Sequence, residues 1–445
     1  MKHPLYYGKL SALSSALLSI SSSIFAADTN TTPPSAEPAV QTLPTLSFQA
    51  SAEPQKQKDD DISAVPKTVI TRDEMLQYGD QSVMDALRRA AGFQLPTPGQ
   101  GPRGGGGASG MRFRGGAGPT FLINGEPVQG GPRGGMSIID TITPEMIERI
   151  EIVKQPSVAQ ASVASSAVIN IILKEPLDNR ISGSVKVGYG LRSSQQQESE
   201  NKQINIQADG RDNAWSYSVS ANQMWVDNTS LTKTETATGT REQARTVNRT
   251  MQMFAPRLQY DLDDQQKLIA ELFYRNIKMD GYSANQTQDD KNDSIRLNTR
   301  YERKDKDLSD KIRLSVERQT ETQLTRSLQN TIYTDETINE YGLAYDGMRK
   351  LDPDRQIKFG VDARSNNLDS NVSDSLDEQR YALYAEGSWR FTDRQTITLG
   401  ARQEWLNRSG LVDYQDQHLS PVLAYRFDLT EQWSIQTNLS QAFNS

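Results

Sequence analysis

The sequence predicts a membrane protein of the all-β class, in which a small N-terminal α/β domain precedes an antiparallel transmembrane β-barrel that is incomplete, with about thirteen strands. Three observations lead to this fold class. The chain opens with an export-type segment, and residues 62–178 alternate short helix and strand signals. Residues 179–445 then form segments of about ten residues in which apolar and polar side chains alternate.

The composition excludes several classes of protein. The 445 residues include 49 Lys+Arg, 56 Asp+Glu, two His and no Cys, which rules out disulfides, thiol nucleophiles and thiolate metal sites. His3 lies in the export segment, so His418 is the one imidazole expected in the mature chain. We therefore expect no enzyme, no cofactor and no metal centre. The modest net acidity argues against a nucleic-acid partner, because phosphate binding needs a concentrated basic surface.

The N-terminus is typical of a secretory signal. Two lysines precede an apolar, Ser-rich stretch over residues 10–25, and Ala26 follows it. This pattern predicts a signal peptide over residues 1–26, with cleavage near Ala26. A disordered tail is the alternative.

Residues 27–61 are rich in Pro, Thr, Ser, Gln and charge, so they predict a flexible periplasmic linker. One segment of this linker alternates like a β-strand, namely Thr45, Leu46, Ser47, Phe48, Gln49 and Ala50. An extended segment in a tether can add itself to the sheet edge of a partner through backbone hydrogen bonds. The alternative is that the segment is linker only.

Residues 62–178 carry the signals of the small α/β domain. A capping box at residues 71–74 predicts a short helix that Gly79 ends. Asp80 is predicted to cap a second helix, which Gly92 ends. Strands are predicted at residues 65–70, 121–123, 149–154 and 168–174. The dipeptide Asn124-Gly125 predicts a tight turn after the second of these strands.

A Gly/Pro/Arg-rich loop over residues 99–118 is the one segment of the domain that could be mistaken for a phosphate cradle. It lacks the Gly-x-x-x-x-Gly-Lys-Ser/Thr pattern, and no strand feeds it directly as a dinucleotide site requires. An RNA-binding Arg-Gly tract is opposed by the sparse aromatic residues and the exported context. We expect the glycines to let backbone segments pass close to one another or to an enclosing wall.

The barrel pattern begins after Pro176. In one segment Tyr381, Leu383 and Ala385 share a face that would meet lipid, while Tyr384 and Glu386 share the wet face. Short turns are predicted at residues 211–213, 261–264, 305–309, 351–354, 392–394 and 428–431, and long polar loops at 226–245 and 278–293. Short periplasmic turns and longer outer loops are typical of outer-membrane barrels. A soluble β-sandwich is the alternative, since its strands would alternate similarly.

Four stretches occur in a specific order in the α/β region: Arg112-Phe113-Arg114-Gly115-Gly116, Leu122-Ile123-Asn124-Gly125-Glu126-Pro127-Val128, Ile147-Glu148-Arg149-Ile150-Glu151-Ile152-Val153-Lys154 and Ala167-Val168-Ile169-Asn170-Ile171. They resemble the plug domain of TonB-dependent outer-membrane receptors. The motif residues carried over are Arg112, Arg114, Gly115, Asn124, Gly125, Arg149, Glu151 and Asn170.

This resemblance implies a mechanism. Such a plug blocks the lumen of a barrel and is moved when TonB, with its inner-membrane energising complex, pulls an N-terminal segment, here the segment from Thr45 to Ala50. By the same resemblance we expect a ligand-facing plug apex at Arg103, Gln129, Arg133 and Met136. The alternative is that these residues belong to loops that only pack inside the lumen.

The resemblance also leads us to expect a receptor whose barrel is truncated. Members of the family have about twenty-two strands, and bacterial single-chain barrels have an even number. A sheet of about thirteen strands would leave two bare edges in lipid, at a cost of several kcal/mol for each unpaired backbone group.

Together these patterns predict a receptor of the Gram-negative outer membrane that imports a scarce ligand. An iron–siderophore complex is the expected ligand, and cobalamin, a sugar or another metal complex stays open. The alternatives are a non-transporting product consisting of a plug and an open sheet, and an outer-membrane enzyme. The expected partners are TonB, outer-membrane lipid and the ligand.

Overall fold

The computed structural model describes residues 62, 64, 67–80, 82–90, 92–94, 112–113, 118–128, 138–153, 158, 167–175, 181–194, 197–236, 239–410, 413–430 and 433–440. The predicted signal peptide lies outside the described residues, as does the predicted TonB-contact segment Thr45, Leu46, Ser47, Phe48, Gln49 and Ala50. So do Arg103, Arg114, Gly115, Gln129, Arg133 and Met136.

The N-terminal domain is built on a small mixed β-sheet. The strands of the domain are β1 (Lys67–Thr71), β2 (Phe93–Gln94), β3 (Arg112–Phe113), β4 (Thr120–Ile123), β5 (Glu126–Val128), β6 (Ile147–Val153) and β7 (Val168–Leu173). Strands β2 and β3 form a separate two-stranded pair. The five-stranded sheet has the order β1-β6-β7-β4-β5. Strands β4 and β7 are parallel, and the other neighbours are antiparallel.

The first predicted helix is confirmed as α1 (Arg72–Gln77). The Thr71 hydroxyl accepts a hydrogen bond from the Glu74 backbone N–H at 3.2 Å, which satisfies one of the free donors at the helix start. Gly79, at φ +72°, follows the helix in the left-handed conformation that glycine adopts without strain. None of the described helices is long and apolar enough to cross a membrane.

The second helix, α2 (Val83–Arg89), begins differently from the prediction. Its N-cap is Ser82, whose Oγ accepts from the Asp85 backbone N–H at 3.3 Å, and not Asp80. Asp80 lies too far before the first helical turn to reach its N–H groups, and its carboxylate instead pairs with Arg89 at the other end of the helix.

The described residues from 181 onward form one antiparallel sheet of thirteen strands, as predicted. The strands are β8 (Ile181–Ser193), β9 (Gln197–Asp212), β10 (Trp215–Thr236), β11 (Gly239–Asp263), β12 (Gln266–Ser283), β13 (Gln286–Lys304), β14 (Leu308–Ser327), β15 (Thr331–Asp352), β16 (Arg355–Ser370), β17 (Leu376–Thr392), β18 (Gln395–Ser409), β19 (Tyr414–Asp428) and β20 (Ser434–Ser440). Each strand pairs with its neighbours in sequence, and within the described residues the sheet does not close.

The prediction of long polar loops at residues 226–245 and 278–293 was wrong, because these residues lie almost entirely within strands β10 to β13. Strand β11 holds 25 residues, or roughly 80 Å at ~3.3 Å per residue. A membrane barrel carries an apolar band only ~25 Å tall. The strands therefore continue beyond the apolar band with polar side chains on both faces, and that polarity is the pattern from which loops were predicted.

One apolar core joins the small domain to the large sheet. It contains buried residues of the helices and of the small sheet, such as Leu87, Ile150 and Ile169, together with Met253, Ala255 and Phe273 of strands β11 and β12. Burying a side chain of this size contributes about 1.5–3 kcal/mol. The small domain is thus anchored by apolar contact on one side of the large sheet.

Candidate functional site at the interface between the small domain and the large sheet

The tight turn predicted at Asn124-Gly125 connects β4 to β5 and points at the large sheet. Both residues have positive φ, 51° and 86°, as a two-residue hairpin turn requires. The Asn124 Oδ1 accepts from the Leu173 backbone N–H at 3.0 Å, and the Gly125 backbone N–H donates to Asn170 Oδ1 at 2.9 Å. Two of the motif asparagines therefore hold the turn in position.

A buried carboxylate of strand β12 receives this turn. The Asn124 amide donates to Glu271 Oε1 at 2.9 Å. Glu271 also pairs with two arginines of the large sheet, Arg257 at 3.2 Å and Arg300 at 3.0 Å, and it is 2% exposed. A carboxylate so deeply buried is stabilised only when charged and hydrogen-bonding partners surround it, as they do here.

The residue after the turn, Glu126, is bound by arginines from two different strands. Its carboxylate lies 2.8 Å from an Nη of Arg313 on β14 and 3.2 Å from an Nη of Arg364 on β16. Arg313 also donates to the Gly125 carbonyl oxygen at 2.6 Å, and Arg296 of β13 donates to the Pro127 carbonyl oxygen at 2.7 Å. Three strands of the large sheet thus bind three consecutive residues of the small domain.

The same arginines are held by acidic residues of their own sheet. The ion pairs are Arg313 with Asp346 at 2.7 Å, Arg296 with Glu317 at 2.8 Å, and Arg364 with Asp362 at 3.2 Å and Glu340 at 3.4 Å. Because these partners fix the guanidinium groups before the small domain docks, little side-chain entropy is lost when Glu126 binds. Each of these guanidinium groups is thus shared between an acidic residue of its own sheet and the turn of the small domain.

Burial alone would raise the pKa of Glu126, but the charges of Arg313, Arg364 and Arg296 outweigh burial and hold its pKa below the usual value. Two further carboxylates of the small domain follow the same pattern. Glu145 pairs with Lys186 of β8 at 3.0 Å, and Glu175 pairs with Arg257 at 2.9 Å. Burial opposes the charged form of both carboxylates. Hydrogen bonds from the backbone and from Lys186 nevertheless lower the pKa of Glu145, and the charges of Arg257 and Lys267 lower the pKa of Glu175.

Docking of the small domain is expected to weaken as the pH falls below about 4.5. The pKa of each of the three carboxylates is lowered from 4.5 by the folded structure, so each contributes stability that is present above the unfolded-state pKa and is lost as the pH falls through the folded-state pKa. The measurement is the urea concentration at the midpoint of unfolding, followed by the fluorescence of a label attached to the variant Leu76→Cys. Position 76 is exposed on α1, and the chain has no other cysteine. We expect a lower midpoint at about pH 4 than at about pH 7.

The control for this measurement is Glu126→Gln, which removes one of the three titrations and should make the pH dependence shallower. Equal midpoints at the two pH values in the unsubstituted background would contradict the ionic description of the interface.

Other predicted motif residues have local roles. Arg149 and Glu151 pair with each other at 2.8 Å on β6, and Lys67 of β1 pairs with Glu151 at 3.0 Å, so these side chains link strands of the small sheet. The backbone of Arg112 pairs with Gln94 in the β2–β3 pair.

The sequence prediction missed the residues that form the interface. Glu126 stands in one of the matched stretches but was not chosen, and Glu271, Arg313 and Arg364 read as ordinary wet-face residues of barrel strands. The charge of these residues did not distinguish them, because charged and large polar side chains recur along the same faces of the strands. Among the described residues no cluster of three or more His, Asp or Glu side chains is arranged to hold a metal ion.

Comparison with protein-family models identifies both parts of the chain. Residues 60–168 match the TonB-dependent receptor plug domain, and residues 188–445 match the TonB-dependent receptor-like β-barrel. The chain therefore belongs to the TonB-dependent receptor family. From here on the small domain is called the plug and the large sheet the barrel wall. A search of curated proteins found no match to the chain.

Solved structures of siderophore receptors share this fold. The chain is similar to a variant of the ferric enterobactin receptor PfeA of Pseudomonas aeruginosa in complex with enterobactin, with 16% identity, a TM-score of 0.67, and coverage of 86% of this chain and 63% of that one. The chain is also similar to the siderophore receptor PirA of Acinetobacter baumannii, with 18% identity, a TM-score of 0.62, and coverage of 85% of this chain and 61% of that one. Its similarity to the ferric yersiniabactin uptake receptor FyuA of Yersinia pestis is 13% identity with a TM-score of 0.58, and the match covers 84% of this chain and 64% of that one.

At these identities the likeness concerns the fold. The chain spans less than two thirds of the length of each of these receptors.

Proposed function

We propose that this chain acts as a TonB-dependent receptor of the Gram-negative outer membrane that takes up an iron–siderophore complex. The observation that carries the proposal is the attachment of the plug turn to the barrel wall through ion pairs, with Glu126 held by Arg313 and Arg364. An uptake receptor needs a plug that stays in place without force and can be displaced by force. Ion pairs fit that need better than a continuous apolar core.

The physical reason lies in what replaces each contact when the plug moves. When water enters, a separated ion pair regains hydration, which offsets much of the attraction that is lost, so its net worth is modest. An apolar contact regains nothing in water and loses ~25 cal/mol for each Å² exposed. We therefore expect tension on the plug to break the ionic contacts at lower cost than the plug core around Ile150 and Ile169.

The two sides of the plug differ in this respect. On one side Met253, Ala255 and Phe273 of β11 and β12 belong to the plug core cluster. Strands β11 and β12 also carry polar contacts to the plug, through Arg257 and Glu271, whereas the contacts described to β13, β14 and β16 are hydrogen bonds and ion pairs. This asymmetry supports a movement in which the plug leaves the wall at β13 to β16 first, before its apolar contacts with β11 and β12 separate.

Two further inferences belong to this proposal. TonB would pull the N-terminal segment that contains Thr45 to Ala50. The loops that contain Arg103, Gln129, Arg133 and Met136 would meet the ligand at the plug apex. The siderophore class of ligand is supported by the neighbours, which include receptors for ferric enterobactin and ferric yersiniabactin. The family is one of receptors, which supports a function without catalysis.

The test is uptake of radioactive iron by Gram-negative cells that lack their own siderophore receptors and express this chain. Ferric enterobactin, ferric yersiniabactin and ferric pyoverdine serve as probes, and an otherwise identical strain without TonB is the control. We expect accumulation of at least one complex that disappears in the strain without TonB. A chain that is folded in the outer membrane, as judged by heat-modifiable migration, and that neither binds nor accumulates any of the complexes would overturn the proposal.

A further inference from the structure

A charged cluster lies on the outer face of the barrel wall, the face that carries the apolar side chains. Strand pairing places Arg303 of β13 opposite Asp310 of β14, and Asp310 opposite Gly347 of β15, with Arg349 two residues further along β15. Alternate residues of a strand share a face. Arg303 therefore shares the face of Tyr301, and Asp310 shares that of Ile312, which is 45% exposed.

Asp310 brings the two arginines together. Its Oδ2 accepts from Arg303 Nε at 2.9 Å, and its Oδ1 accepts from the Tyr345 hydroxyl at 2.9 Å and from Arg349 Nη1 at 3.4 Å. The carboxylate is 6% exposed, whereas each arginine side chain is 41% exposed. The acid is thus enclosed by its partners, and both guanidinium groups face outward.

The cluster lies at the edge of the apolar band, at the end of the barrel wall where β13 and β14 stop just beyond the band. At the opposite end both strands continue well past the band with polar residues. One step deeper, register partners Tyr301, Ile312 and Tyr345 form an outward row, and the Tyr345 ring lies 6.1 Å from that of Phe359. One step further out, β13 ends at Lys304 and β14 begins at Leu308. Aromatic girdles mark the interfaces of membrane barrels, and the side on which the chain extends less far beyond the apolar band is the periplasmic side.

The chemistry of the cluster fits a phosphate group. Two guanidinium groups and one carboxylate leave one net positive charge, and an arginine carries five N–H donors, more than Asp310 can accept. Arginine forks match phosphate oxygens in a bidentate manner. Basic residues at the depth of lipid headgroups attract anionic lipids.

We propose that Arg303 and Arg349, positioned by Asp310, bind the phosphate of an anionic phospholipid in the periplasmic leaflet. This inference rests on the proposed location in the outer membrane. It does not depend on transport, because the site lies on the face of the wall opposite to the one that contacts the plug.

The experiment measures lipid retention by the purified full chain in detergent, using native mass spectrometry. Phosphatidylglycerol and phosphatidylcholine are added separately, and inorganic phosphate is the competitor. We expect retention of phosphatidylglycerol in preference to phosphatidylcholine, and a loss of about tenfold in the variant Arg303→Gln with Arg349→Gln, since each substitution removes a charged fork. Inorganic phosphate, which lacks acyl chains, should not displace the lipid.

The matched control is Arg318→Gln with Arg326→Gln, which removes two arginines from the same face of β14 towards the opposite end of the strand. This control should retain phosphatidylglycerol at the unsubstituted level. Heat-modifiable migration checks the folding of each variant. If the glutamine variant fails to fold, Arg303→Lys with Arg349→Lys replaces it. This lysine variant keeps both charges but lacks the guanidinium forks, so it should give intermediate retention. Equal retention in the unsubstituted chain and the glutamine or lysine variant, or displacement by phosphate, would overturn the proposal. Because uptake is not measured, failure here is distinguishable from failure of the proposed function.

Discussion

Replacing Arg313 by Ala is expected to loosen the plug turn from the barrel wall by about 3–5 kcal/mol, the cost of removing one partner from a buried ion pair. Arg313 is 11% exposed and binds the Gly125 carbonyl oxygen, the Glu126 carboxylate and the Asp346 carboxylate, all within 2.8 Å. The substitution leaves Glu126 with Arg364 at 3.2 Å and removes the nearest cation from Asp346.

Hydrogen–deuterium exchange of the β4–β5 hairpin measures this effect directly, because protected amides exchange through local opening. A loss of 3–5 kcal/mol corresponds to exchange that is roughly a hundredfold to several thousandfold faster in that hairpin, at 1.4 kcal/mol for each factor of ten. The exchange of α1 and α2 should change much less, since the hydrogen-bond and ion-pair partners described for Arg313 lie in the β4–β5 hairpin and in β15.

Arg326→Ala is the matched control. Arg326 lies on the same strand and pairs with Asp289 at 2.9 Å, but its side chain is 54% exposed. Exposed pairs contribute at most about 1 kcal/mol, so exchange in the hairpin should stay unchanged. If Arg313→Ala behaved like this control, the ionic contact would not hold the turn.

The local elements of the plug could be predicted from the sequence because short-range chemistry determines them. The helix start at Thr71 depends on a side chain three residues from its partner Glu74, and the turn at Asn124-Gly125 depends on two residues that tolerate positive φ. The wrong prediction of Asp80 as the N-cap of α2 is also a local one, since the true N-cap, Ser82, lies only two residues further along the chain. The count of about thirteen strands followed from the alternation together with the turns between the alternating segments.

The interface could not be predicted in the same way. Glu126 and Arg364 are separated by 238 positions in the chain, and Asn124 and Glu271 by 147. Alternation shows which face of a strand is wet, but not which wet residue meets the plug, because that depends on the position of one folded domain against another. The ends of the strands were missed for a related reason, since polar residues beyond the apolar band look alike in loops and in extended strands.

A disulfide between the plug and the barrel wall is expected to abolish TonB-dependent uptake. Val158 packs with Tyr384 and Val422 of the wall, and a Cβ built at Gly400 would lie 2.9 Å from the Val158 Cγ1. Since a carbon–carbon bond adds ~1.5 Å, the two Cβ atoms would lie within about 4.5 Å, as a disulfide requires. The chain has no cysteine of its own, so Val158→Cys with Gly400→Cys can form one defined bond.

The single variants are the necessary controls, because the Cβ at Gly400 would also lie 2.9 Å from the Ala385 carbonyl oxygen and could strain the wall by itself. Each single variant should take up ferric siderophore at a measurable rate under oxidising and reducing conditions alike. The cross-linked fraction of the double variant is determined on non-reducing gels in the same samples.

The measurement that tests the central claim most directly is radioactive ferric-siderophore uptake by cells that carry this double variant, before and after reduction. A plug that must leave the wall predicts uptake at the level of the strain without TonB while the disulfide is intact, and recovery to the level of the single variants once it is reduced. Unchanged uptake by a fully cross-linked population would contradict the claim that the plug detaches from the barrel wall during transport.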